Sequence, residues 1–176
     1  IQRLSMYKLR ADVTLAPLSD VHLHRGLGTA PEDGWTDPRH PDLGWRAWRT
    51  EPPAPEDMTD WEALRIALMV PETGVELTPD SFILEQNFEA LNGVDFRKGC
   101  YVGQEVTARM KHKTELRKGL SRVSVSGPAV PGDEITAGGK PAGQLLSRAG
   151  DAGLAYLRFE RATGDMTCGD ARVTRV

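Results

Sequence analysis

The stretch "DFRKGCYVGQEVTARM", residues 95–110, gathers the side chains best suited to chemistry in this 176-residue chain. Cys100 sits between Gly99 and Gly103, with Arg97 and Lys98 before it and Gln104 and Glu105 after it. Glycine admits backbone conformations that other residues resist, and it lets a ligand or strand approach closely. The segment "QEVTARMK" that follows suits a helix of about two turns. Cys100 would then lie near a helix N-terminus, where unpaired N–H groups and the positive end of the dipole collect. With two cations nearby, that setting favours thiolate, the nucleophilic form, over thiol. A second reading fits the same residues. Free cysteine is among the most buried residue types, and Gly-Cys-Tyr also suits a packed turn. Both readings stay open on the residues alone.

No activating base stands beside the thiol. His112 is the nearest histidine and has no orienting partner in sequence, which argues against a cysteine-protease arrangement. Cys100 and Cys168 form no CxxC pair, so a disulfide framework is not expected and a reducing cytosol is the expected location. The four histidines, His22 and His24 among them, lack partner ligands at zinc spacing, so no metal site is expected. Trp35, Trp45, Trp48 and Trp61 offer stacking faces, though core or rim packing is the commoner use of such residues. The basic run "MKHKTELRK" could meet a phosphate or form a solvated linker face.

These groups need elements to hold them. Gln2 to Leu9 reads as a helix with Lys8 and Arg10 near its end, where cations suit the dipole. "DVTLAPLSDVHLHRG" alternates around Val13/Leu15 and Val21/Leu23 and predicts two strands joined by a short loop. Thr29 to Pro41, rich in Gly, Pro and Asp, is expected to be loop, and Gly44 to Arg49 a short strand. Asp57 or Thr59 would cap a helix in "DWEALRIALMV", stopped by Pro71. Beyond Leu116 the texture changes to short apolar runs parted by Gly-Pro, Pro-Gly, Gly-Gly and Asp-Ala-Gly, ending at "ARVTRV". That habit belongs to a small antiparallel barrel or sandwich. A boundary is expected between Lys113 and Lys118, dividing residues 1–115 from residues 116–176.

The composition bounds the rest. Hydrophobic residues make up 39%, charged residues 27%, and the net charge is −3 with a pI near 5.8. A broad basic face for nucleic acid is therefore not demanded, and the values are ordinary for a globular protein. The longest apolar run, Ile66 to Val70, is too short to cross a bilayer. The opening "IQRLSMYKLR" reads as the end of an amphipathic helix already under way, which predicts a chain trimmed or begun inside a larger protein.

"KGCYVGQE" resembles the signature of the YgfZ-type folate-binding family, part of the superfamily of the glycine-cleavage T-protein, an aminomethyltransferase. "YKLRADV", "DPRHPDLGWR", "WEALRIALMVPETGVEL", "LEQNFEALNGVDF", "GDEITAGGKPAGQLLS" and "LAYLRFERA" resemble other parts of that family. The resemblance implies the middle and C-terminal portion of such a protein, since members carry roughly a further third of chain before the equivalent of Ile1. It implies an α+β fold: an antiparallel sheet with helices, ferredoxin-like in the T-protein manner, then a small C-terminal antiparallel β-barrel. The ligand it implies is tetrahydrofolate, held in a central hole. It implies a role in assembling or repairing iron–sulfur proteins, with client or assembly proteins as partners and an indirect link to tRNA through iron–sulfur enzymes that modify it. A cytoplasmic monomer without membrane contact is the expectation.

Residue by residue, Glu85 in "LEQN" matches the glutamate upstream of the signature, and a carboxylate can accept from a pterin's adjacent N–H donors as a fork. Lys98, Tyr101, Gln104 and Arg109 match signature positions and join it as expected folate-binding residues, with Cys100 as the expected functional thiol. T-proteins typically carry an acidic residue where Cys100 stands, so the resemblance points away from a classical enzyme, aminomethyl transfer being the alternative. Arg65 falls where the superfamily has an arginine in an R-x-x-x-G helix end. Met69 replaces that glycine, which weakens the expectation for Arg65.

Overall fold

The computed structural model describes residues 1–55, 58–113 and 115–176. It divides into two compact units, Ile1–Thr36 with Gly44–Asp57 and Asp37–Leu43 with Met58–Val176. Thr114, inside the expected boundary, lies outside the described residues.

In the first unit, α1 (Gln2–Lys8) is a short helix with no buried residue. β1 (His22–Gly26), β2 (Gly34–Thr36) and β3 (Trp45–Arg49) form an antiparallel sheet in the order β1-β3-β2. Only one of the two strands expected in "DVTLAPLSDVHLHRG" exists. The Val13/Leu15 alternation is real, but a strand needs a neighbour to bond with. β1 gives its pairing to β3, with Leu23 opposite Trp48. The expected loop over Thr29 to Pro41 likewise contains β2, whose Gly34 lies opposite Ala47.

The second unit begins its regular structure with α2 (Trp61–Ala67). Its cap is neither expected residue. Asp57 lies outside the described residues, and Asp60 accepts a 2.9 Å hydrogen bond from the Ala63 backbone N–H. Asp60 sits immediately before the first helical residue, the position from which a carboxylate reaches those orphan donors. The helix stops before Pro71, with Met69 at φ 53°. α3 (Gln104–Lys113) runs for 10 residues, longer than the two turns expected.

Nine-residue β4 (Lys118–Ser126) opens a closed barrel completed by β5 (Glu134–Ala137), β6 (Lys140–Ala149), β7 (Ala152–Arg158), β8 (Met166–Cys168) and β9 (Ala171–Arg175). Its strand order is β4-β7-β6-β5-β8-β9. The fold is α+β with a small antiparallel barrel, as expected. Alternate side chains point inward, and Val123, Val125, Ile135, Leu145, Leu157, Met166, Cys168 and Val173 fill the interior. The outer face of β4 and β7 is also apolar at Leu120 and Leu154, which Ile66 of α2 covers. The other side of α2, through Leu64 and Leu68, meets Leu43, Val70 and Leu91. A helix apolar on two sides belongs between two packed surfaces. Among the described residues no helix is long and apolar enough to cross a membrane.

Candidate functional site

The Cys100 loop is an open structure. Arg97 N–H bonds Asp95 Oδ1 at 2.8 Å, and Lys98 Nζ stands 5.1 Å from the centre of the Tyr101 ring. Gln104, first residue of α3, accepts from the Tyr101 N–H through Oε1 at 3.3 Å. Gly103 has φ +88°, a conformation that a side chain strains. Neither Gly99 nor Gly103 has any atom within 4 Å of where a Cβ would stand, so neither serves a close approach. Cys100 itself is exposed. The packed-turn reading of this thiol therefore fails. Cys168 is the buried cysteine, and burial pushes its thiol above the usual range.

Glu85 lies in a 3-10 turn, Ile83–Gln86, which ends where Asn87 adopts a left-handed φ of 64°. The Asn87 side-chain amide donates to the Met69 carbonyl at 3.1 Å and fixes that reversal. The turn packs against β4 so closely that a Cβ on Gly119 would meet the Glu85 carbonyl oxygen at 2.9 Å. Only glycine allows the backbones to come this near. Glu85 is consequently 8% exposed. The Tyr156 hydroxyl donates to its Oε2, and Lys118 Nζ lies 4.0 Å from the same oxygen. Lys118 also stands 5.4 Å from the centre of the Tyr156 ring. Burial, and then the bond to Glu85, push the Tyr156 phenol well above its ordinary value. Among the described residues Oε1 of Glu85 accepts no hydrogen bond.

A cavity of about 300 Å³ opens beside this carboxylate, lined by Glu85, Met110, Arg117, Lys118, Arg158 and Glu160 among others. That size sits at the lower end of small-molecule sites. Five of the eight lining residues come from the "MKHKTELRK" region, which is thus more than a solvated face. Of the expected folate residues, Glu85 alone lines the cavity. Lys98, Tyr101 and Gln104 gather at the start of α3, and Arg109 is exposed farther along it. Cys100 precedes α3, whereas Met110 lies six residues into it, about 9 Å of helical rise from Gln104. The thiol and the cavity are served by the two ends of one helix, which packs against the Glu85 turn.

Sequence reasoning undervalued Arg65. Its guanidinium donates to Glu62 at 2.7 Å, to buried Glu76 at 3.0 Å, to the Val70 carbonyl at 3.3 Å and to Ser147 Oγ at 2.7 Å. Ser147 in turn donates to Glu76 Oε1 at 2.6 Å. α2, the turn after it and β6 are tied through this one side chain. The Met69 replacement leaves the motif intact because Met69 adopts the positive φ that glycine would supply at a helix C-terminus. Tyr156 was missed altogether. Its only signal is a hydroxyl-bearing ring on the outward face of an apolar strand, and nothing local connects it to Glu85. Among the described residues no group of three or more His, Cys, Asp or Glu side chains is placed to hold a metal ion.

Residues 117–176 match the family model described as the CAF17 C-terminal beta-barrel domain, covering the closed barrel just described. Sequence similarity to IBA57 proteins extends over 94% of the chain. The mouse mitochondrial iron-sulfur cluster assembly factor IBA57 is 34% identical over 196 residues, taking in 94% of this chain and 54% of the mouse protein. The human IBA57 is 32% identical over 194 residues, with the same shares of 94% and 54%. The Neurospora crassa IBA57 homolog is 38% identical over 91 residues, 47% of this chain and 21% of that protein. The chain thus spans about half the length of the first two relatives. These IBA57 proteins are mitochondrial, which overturns the cytoplasmic location expected from the cysteines. Free cysteines mark a reducing compartment; they do not tell one such compartment from another.

Proposed function

We propose that this chain serves iron–sulfur cluster assembly, within the YgfZ-like and T-protein-related superfamily, and that its Glu85 cavity receives tetrahydrofolate. The observation that carries the first half is similarity to IBA57 over 94% of the chain. Its partners on this reading are iron–sulfur client or assembly proteins, and tRNA is reached only through enzymes that modify it. Cys100 is the group assigned to that work, because it is an exposed thiol on a loop held by Gln104 and Tyr101.

The folate half rests on chemistry at the cavity. A pterin presents N–H donors, and Glu85 offers a buried carboxylate with Oε1 unclaimed. Arg117, Lys118 and Arg158 line the same cavity and suit the anionic glutamate tail. Bound there, tetrahydrofolate would supply one-carbon chemistry. The protein's own contribution is to orient the ring and shield it from water.

The test is complementation of a strain lacking its own relative by the full-length protein. Restored activity of iron–sulfur enzymes is expected for the wild type, with loss on Cys100→Ser. Failure of the wild type overturns the assembly role. Methylamine transfer to tetrahydrofolate by the purified full-length protein would instead make it an aminomethyltransferase.

A further inference from the structure

We infer that Tyr156 of β7 is a positioning residue for folate binding: its hydroxyl holds Glu85 by Oε2 and thereby leaves Oε1 as the oxygen that meets the ligand. This rests on the folate reading of the cavity and goes beyond it, since no signature residue points to the barrel strand.

The geometry supports three linked steps. A glutamate side chain has three rotatable torsions, so a carboxylate in a cavity wall has no orientation of its own. Here one oxygen is fixed by the phenol, and Lys118 stands over the Tyr156 ring and 4.0 Å from the same oxygen. Tyr156 and Lys118 sit on neighbouring barrel strands, β7 and β4, so their spacing is set by sheet register: Lys118 lies opposite Arg158, two residues beyond Tyr156. The clamp is built on rigid strands, whereas Glu85 is on an irregular turn. Holding a recognition group by a partner on a rigid element is the way a site keeps its geometry. The same clamp bears on recognition. A carboxylate with both oxygens open would accept from two adjacent donors as a symmetric fork. With Oε2 already receiving the phenol, the ligand is met chiefly by Oε1, so affinity depends on the angle at which Glu85 is held.

The test is a double-mutant cycle on the full-length protein, measuring tetrahydrofolate binding by calorimetry with the ligand kept reduced. Tyr156→Phe keeps the ring and its packing and removes only the hydroxyl. It is expected to weaken binding about tenfold, the scale of one hydrogen bond to a charged group. Glu85→Gln is expected to weaken it further, and adding Tyr156→Phe to Glu85→Gln is expected to change nothing more. That non-additivity is the readout a merely structural tyrosine would not give. Unchanged affinity in Tyr156→Phe, with Glu85→Gln impaired, overturns the positioning role and leaves the folate reading standing. A Tyr156→Phe loss that adds in full to that of Glu85→Gln also overturns it. No binding by the wild type removes folate from the cavity, and the positioning role with it. Thermal unfolding of each variant identifies any that fails to fold, and Tyr156→Leu, which also lacks the hydroxyl donor, then takes the place of Tyr156→Phe with the same weakening and the same non-additivity expected.

Discussion

A phenol that is half-buried and bonded to a carboxylate resists losing its proton. For Tyr156, burial first and Glu85 second disfavour the phenolate, so its folded-state value lies above the ordinary 10.0. The linkage sign follows directly. The unfolded chain gives up this proton more readily, so the stability contributed by Tyr156 is fully present below about pH 10 and is lost as the pH rises beyond it. Thermal unfolding from neutral to alkaline pH should show the wild type losing its margin over Tyr156→Phe as the solution passes that point. A margin that stays constant through the alkaline range would mean that the phenol is not held as described. At this scale the sequence was informative about Cys100 and silent about Tyr156. Its neighbours place Cys100 in a glycine-flanked loop before a helix and leave buried and exposed readings open, and the fold decides for exposure. The Tyr156–Glu85 bond joins residues that only the closed barrel brings together.

Helix α2 depends on one residue more than on its propensity. Arg65 is 12% exposed along its side chain and Glu76 is fully buried, so removing the cation strands an acid in the interior. Breaking such a pair on one side costs about 3–5 kcal/mol. Arg65→Ala should therefore lower the stability in urea unfolding by about that much. Glu62→Ala, which removes a partner 45% exposed at the rim, should cost less than about 1 kcal/mol. Equal effects of the two substitutions would contradict the network. The existence of α2 was legible in the periodicity of Trp61, Leu64 and Leu68, while its cap was displaced to Asp60. Two turn signals of the C-terminal half, Gly127-Pro128 and Gly138-Gly139, do separate barrel strands, whereas of Asp-Ala-Gly only Asp151 lies between strands and Ala152 and Gly153 already belong to β7. The Val13/Leu15 segment shows the limit of such reading: alternation identifies a sequence able to be a strand, and pairing decides whether it is one. Arg65 was undervalued because a motif letter was compared where a backbone angle mattered. Met69 supplies that angle without being glycine.

The barrel holds the largest cluster of buried apolar residues, and part of its outer face is covered from outside it. Leu120 is 6% exposed and Leu154 0%, on an outer face covered by Ile66. Residues 117–176 produced alone should bare both leucines and lose roughly 3 kcal/mol or more against residues 58–176, judged by the burial of two such side chains. Comparative urea unfolding, with a dye that reports exposed apolar surface, would measure this. Equal stability of the two fragments would show that α2 is dispensable to the barrel.

Ring closure also governs how neighbours can attach. A cylinder of six strands, each bonded on both sides, has no unsatisfied rim of N–H and C=O groups to offer an incoming chain. The flanking strands His22–Gly26 and Gly34–Thr36 do have one, because each pairs with Trp45–Arg49 on a single side. Any protein that docks by lending an extended segment is thereby directed to the small sheet, leaving the cylinder to engage others through side chains alone.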